Sequence, residues 1–187
     1  MVSLGATSRR LGVMGESAGG NLAAALCLVA RDRGRPMIDH QALIYPATDL
    51  GCDTPSRRLN AEAIILTTAD VTKFEDLYAG PSTPKDDWRM SPLRAASHRD
   101  LPPALIQVAG HDPLYDEGVG YAEALRKDSV PVVLAEYPAM PHGFVNFPYF
   151  SRDARPAIMQ VVTEQRKALG RWTRALRHTP IPRPSVR

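Results

Sequence analysis

The chain has 187 residues, 44% of them hydrophobic and 23% charged, with 23 Lys and Arg against 20 Asp and Glu. A domain takes roughly 100–200 residues, so this is one domain with enough apolar content for a core, and the near balance of charge excludes a disordered chain and a dedicated nucleic-acid binder. No apolar run approaches the roughly 18 residues of a membrane span and the first residues lack a leader pattern, so the expectation is a cytoplasmic protein without a membrane partner.

Short apolar runs alternate with helical patterns, which predicts an α/β fold with a mostly parallel sheet and helices on both faces. The first strand is Leu11 to Met14, followed by a helix from Ala18 to about Arg33 with Leu22, Ala25, Leu26 and Val29 on its apolar side and Gly34 closing it. Three further strands run from Ala42 to Tyr45, Ala104 to Ala109 and Val130 to Tyr137, each stopped by the Pro or Gly that follows. Between the second and third strands lies a lid-like insertion, residues 49–100. Within it Thr67 and Asp70 fit a helix cap, Val71, Phe74, Leu77 and Tyr78 form an apolar stripe, and Gly80-Pro81 ends the helix. Helices from Pro113 to Lys127 and from Ser151 to about Arg177 complete a domain over 1–177, leaving a Pro- and Arg-rich tail over 178–187. Residues 151–187 carry nine basic and two acidic residues. Arg166, Lys167, Arg171, Arg174 and Arg177 recur at helical spacing beside Val161, Leu169, Trp172 and Leu176, the pattern of a solvated helix face rather than an anion-binding patch. Cys27 and Cys52 have neither disulfide-framework nor zinc-site spacing, and are expected to be packing residues with no metal.

The chemistry concentrates where the first strand meets the first helix. Gly15-Glu16-Ser17-Ala18-Gly19 matches G-x-S-x-G in a strand-turn-helix context. Such a turn strains the nucleophile's backbone, and Gly15 and Gly19 are expected where a side chain would collide with strand or helix. The helix N-terminus behind Ser17 favours developing negative charge. A serine hydroxyl needs a histidine base, and the base needs a carboxylate to fix its tautomer. Asp112 follows the third strand and is held extended by Pro113, and His142 follows the fourth strand in Pro141-His142-Gly143-Phe144. Asp116 and Glu117 are the other acids near that strand end, but they fall one turn into a helix, where capping or pairing with neighbours is the simpler role. His111 should point away from its neighbour Asp112. His40, His98 and His178 sit in loop-like or terminal stretches, Ser91 reads as a turn residue, and Asp49 and Asp53 read as caps at the start of the insertion.

Together the stretches 15–25 (GESAGGNLAAA), 43–46 (LIYP), 91–93 (SPL), 101–104 (LPPA), 112–118 (DPLYDEG) and 137–144 (YPAMPHGF) resemble the hormone-sensitive-lipase-like carboxylesterase branch of the α/β-hydrolase superfamily. The resemblance implies Ser17 as nucleophile, Asp112 as triad acid, His142 as base and the Ala18 N–H as an oxyanion donor. Glu16 stands where that branch commonly has Asp or Glu. Members also carry a His-Gly-Gly-Gly-type loop upstream of the nucleophile, and the 16 residues before Ser17 contain none. The chain thus resembles a partial fold, the fifth to eighth strands with their helices.

The resemblance implies a serine hydrolase acting on small carboxylic esters without cofactor, metal or nucleic-acid partner. It also implies weak turnover for the chain as given. The alternative is an inactive fragment or pseudoenzyme that serves as a binding or dimerising module, and amide hydrolysis would use the same residues. An exposed edge at the first strand implies self-association.

Overall fold

The computed structural model describes residues 10–170. Among them four strands, β1 (Gly12–Glu16), β2 (His40–Ile44), β3 (Ala104–His111) and β4 (Val132–Pro141), lie in the order β1-β2-β3-β4 and pair in parallel throughout. The helices are α1 (Ala18–Arg33), α2 (Pro55–Leu59), α3 (Thr68–Ala79), α4 (Tyr115–Lys127) and α5 (Ala154–Leu169), with 3-10 turns at Pro92–Arg94 and Phe144–Asn146. Parallel neighbours require crossovers, and α1 and α4 supply those from β1 to β2 and from β3 to β4.

Alternation along the strands sends successive side chains to opposite faces. Leu43, Ile106 and Val108 meet Ala24 and Leu28 of α1 and Tyr121 and Leu125 of α4 on one face. Ala42, Ile44, Leu105 and Ala109 meet Phe144 and the Ala154, Ala157 and Val161 face of α5 on the other. The fold is therefore α/β with helices on both faces, and every residue of β2 is buried as a strand covered on both sides requires. No helix among the described residues is long and apolar enough to cross a membrane.

Several expectations are corrected. On α1 the small residues Gly20, Ala23, Ala24, Ala25 and Ala30 are buried with Asn21, Cys27 and Leu28, so of the expected apolar side Ala25 is buried and Val29 half-buried, while Leu22 and Leu26 are exposed. Small side chains let the helix approach the sheet closely, and the larger Leu22 and Leu26 face outward. On α3 only Val71 of the expected stripe is buried, beside Glu75 and Ala79, and Phe74, Leu77 and Tyr78 are exposed. The expected cap is present, with Thr67 and Asp70 forming a reciprocal capping box.

Two strands run past the Pro or Gly expected to stop them. At the irregular register between Ala109 and His111, a Cβ on Gly110 would lie 2.2 Å from the Pro138 carbonyl oxygen. Glycine here permits a close backbone approach within the ladder. β4 continues through Pro138 to Pro141 because it lies at a sheet edge, where a missing N–H costs no bond on the open side. The remaining limits differ by a few residues, with β1 reaching Glu16, β2 starting at His40, β4 starting at Val132 and α4 starting at Tyr115. α5 begins at Ala154. Arg171, Trp172, Arg174, Leu176 and Arg177, and the tail with His178, lie outside the described residues.

Candidate active site

β1 delivers Ser17 into the N-cap position of α1 with φ 54 and ψ −122, the left-handed region that a non-glycine residue enters only under constraint. The constraint is a set of backbone bonds. The Ser17 N–H donates to the Ile44 carbonyl at 2.9 Å, and the Ser17 carbonyl accepts from Asn21 N–H at 3.1 Å and Ala47 N–H at 3.3 Å. A Cβ on Gly15 would lie 2.1 Å from the Gly19 carbonyl oxygen, so strand and helix touch at that glycine. Gly19 is different from what the motif suggests, since a Cβ there would meet nothing within 4 Å. The second close approach belongs instead to Gly20, whose Cβ would lie 2.7 Å from Pro46 Cβ.

Three strand ends bring three side chains together. His142 Nε2 lies 2.9 Å from Ser17 Oγ, and His142 Nδ1 lies 2.6 Å from Asp112 Oδ2. With a carboxylate on Nδ1, the neutral ring carries its proton there and presents Nε2 as acceptor to the serine hydroxyl. Asp112 is fully buried, and its other oxygen accepts the Leu114 N–H at 2.9 Å. Ala18, the first residue of α1, carries one of the N–H groups that a helix leaves unpartnered and borders the same opening. The Tyr45 ring lies against the imidazole, with centroids 4.6 Å apart and planes tilted by 56°.

Beside Ser17 opens a cavity of about 440 Å³. Leu22 of α1, Leu114, and Ile65, Leu66, Phe74 and Tyr78 of the insertion line it. Phe74 and Tyr78 of α3, which do not reach the core, therefore serve as cavity wall. Among the described residues no three His, Cys, Asp or Glu side chains gather closely enough to hold a metal ion.

The other candidates are placed elsewhere. Asp116 accepts the Ser56 N–H at 2.7 Å. Glu117 reaches across the chain to Arg57 at 2.7 Å and accepts the Thr48 N–H at 2.7 Å. Arg57 also pairs with Glu75 at 2.6 Å, with both carboxylates and the guanidinium buried. Burial pushes the Glu117 carboxyl up against the opposing pull of Arg57. Asp49 and Asp53 are not caps but ion-pair partners of Arg94 and Arg58. Thr54 caps α2.

Ser91 is more than a turn residue. It is fully buried, and its Oγ accepts the Leu50 N–H at 2.8 Å and donates to the Lys85 carbonyl at 2.5 Å. His98 is buried with Nε2 2.9 Å from the Pro92 carbonyl oxygen. His40 is buried at the opposite end of β2 from the serine, where desolvation lowers its pKa against Glu164 and Gln165. His111 is exposed. Cys27 is buried, which pushes its thiol up to about 12. Cys52 is half-buried, and its thiol, raised by burial and by the nearby Glu117 charge, donates to Glu117 at 3.3 Å.

The family of alpha/beta hydrolase fold matches residues 2–146. The chain belongs to the α/β-hydrolase family. Its relatives place it in the hormone-sensitive-lipase-like carboxylesterase branch. Carboxylic ester hydrolase LipN of Mycobacterium tuberculosis is 44% identical over 147 residues, covering 76% of this chain and 39% of LipN. The ethyl acetate hydrolase of Pseudomonas putida is 34% identical over 163 residues, covering 86% of this chain and 51% of that protein. A thermostable esterase from Pseudomonas putida, solved as a crystal structure, has a TM-score of 0.82 at 36% identity, over 87% of this chain and 52% of that one. This α/β-hydrolase chain thus spans about half the length of the curated relatives it matches.

Proposed function

We propose that this chain carries the hydrolytic centre of a serine carboxylesterase acting on small carboxylic esters. The observation that supports the reading is the unbroken hydrogen-bond run from Asp112 through His142 to Ser17, opening onto an apolar cavity. His142 takes the Ser17 proton as Oγ attacks the ester carbonyl, and the new oxyanion faces the Ala18 N–H and the N-terminus of α1. Collapse of the tetrahedral intermediate, with the proton passing from Nε2 to the leaving alcohol, gives an acyl-enzyme. Water then repeats the cycle, with His142 as base and Ser17 as leaving group. Asp112 holds the productive tautomer and balances the imidazolium.

The names of two relatives, an ethyl acetate hydrolase and an acetyl-hydrolase, support short acyl groups as substrates, and a cavity of about 440 Å³ accommodates them. Hydrolysis of a short-chain p-nitrophenyl ester tests the reading, with Ser17→Ala as blank. Turnover above the blank is expected, with His142→Ala as severe as the blank. Asp112→Asn should lose about 10⁴ in kcat, while Asp116→Asn, whose carboxylate serves the Ser56 N–H, should change it only a few-fold. Equal rates in wild type and blank would overturn the proposal.

A further inference from the structure

We infer that Glu16 and Tyr45 form a positioning pair for His142, supporting the face of its ring while Asp112 supports its edge. The inference rests on the reading of His142 as the general base. Tyr45 follows β2, is 1% exposed and has φ 35, with its N–H donating to the Gln107 carbonyl at 2.6 Å. A bulky residue in that backbone region is held there by its surroundings. Its ring sits 4.6 Å from the imidazole, with Phe144 at 5.8 Å. Its hydroxyl donates to Glu16 Oε2 at 2.7 Å.

Glu16 is exposed, and an exposed carboxylate is ordinarily a solvated charge. This one has fixed partners on both oxygens, because Asn146 Nδ2 donates to Oε2 at 3.1 Å and to Oε1 at 3.3 Å. The residue before the nucleophile thus ties the end of β1 to the aromatic support under His142 and to the turn that follows His142. Burial first, then the bond to Glu16 and its charge, hold the Tyr45 phenol protonated and well above the usual range. A phenol that donates to a carboxylate has a more electron-rich ring than a solvated one. That ring becomes a better neighbour when His142 takes the serine proton and turns cationic. The other groups facing His142 are Asp112 at Nδ1 and Ser17 at Nε2. From the insertion, Glu75 lines the same cavity with its carboxylate engaged by Arg57 and Lys85.

The test follows the His142 imidazole resonances against pH in the full chain, assigned by their loss in His142→Gln. In Glu16→Gln, and in Tyr45→Phe, the titration midpoint should move to lower pH by about 0.5 to 1, a three- to tenfold weaker affinity for the proton. Asp112→Asn should move it further. A kcat for ester hydrolysis lowered by a similar factor, with KM unchanged, is the matching kinetic result. Midpoints in both variants that coincide with wild type, while Asp112→Asn moves, would overturn the inference. If Tyr45→Phe fails to fold, Glu16→Gln alone decides, since its carboxylate lies at the surface. Failure of the esterase reading would show separately, as equal turnover in wild type and Ser17→Ala, and leaves the imidazole titration readable.

Discussion

Ser17 occupies a backbone conformation that costs about 1–3 kcal/mol for a residue with a side chain, and its backbone bonds to Ile44, Asn21 and Ala47 hold it there. The two glycines of the pentapeptide do unequal work in this. Gly15 has no room for a Cβ, because the Gly19 carbonyl oxygen would lie 2.1 Å from it. Gly19 has open space, and the crowded position is Gly20 against Pro46. Gly20→Ala should therefore destabilise the fold by about 1–3 kcal/mol, the usual cost of overpacking. Gly19→Ala should be neutral or stabilise by up to about 0.5–1 kcal/mol, through the entropy glycine surrenders in a helix. Urea unfolding of both variants measures this, and a Gly19→Ala more damaging than Gly20→Ala would refute it. The motif made Ser17 legible because strand, turn and helix signals converge within a few residues. Which glycine is indispensable was not legible, because Pro46, the neighbour that decides it, lies on a different loop.

At the scale of elements, periodicity located α1 and α3 but only part of the sides they bury, Ala25 on the one and Val71 on the other. α1 packs mainly through small residues together with Leu28, and Leu22 and Leu26 end on the other side. α3 sits over a cavity, so its aromatic residues line that cavity and a charged residue, Glu75, points inward. A sequence pattern weighs residues by hydrophobicity, whereas the sheet selects them by how closely a helix can approach it. The same limit hid the Arg57 cluster, whose partner Glu117 lies 60 positions away and whose composition reads as surface charge. This cluster pins α2 and α3 of the insertion onto α4. Removing the cation leaves the buried Glu117 without a cationic partner and Glu75 with only Lys85 at 3.5 Å, a change that costs about 3–5 kcal/mol in buried pairs. Arg57→Ala is accordingly expected to destabilise by about that amount in urea unfolding. Arg58→Ala, which breaks the exposed pair with Asp53, should cost about 0–1 kcal/mol. Equal effects at the two arginines would show that the buried cluster does not anchor the insertion.

At the scale of the whole molecule, the sheet has unequal edges. The Leu11 carbonyl accepts from Asp39 N–H at 2.7 Å and the Ser17 N–H donates to Ile44, so these residues turn their backbone groups toward β2. By the alternation of a parallel ladder, Gly12, Met14 and Glu16 turn theirs away from it. Among the described residues no strand pairs with that side, and Met14 beside it is 60% exposed. The opposite edge, β4, carries Pro138 and Pro141, which blunt strand addition. With no described strand against it, the outward side of β1, which holds neither proline nor lysine, can pair with β1 of a second copy about a two-fold axis. The expected outcome in sedimentation velocity at micromolar concentration is reversible self-association. Met14→Lys, placing a charge on the open edge, should shift the population toward monomer. A monomer throughout the micromolar range in the unmodified chain would refute pairing through β1, and association that persists unchanged in Met14→Lys would move the contact to another surface.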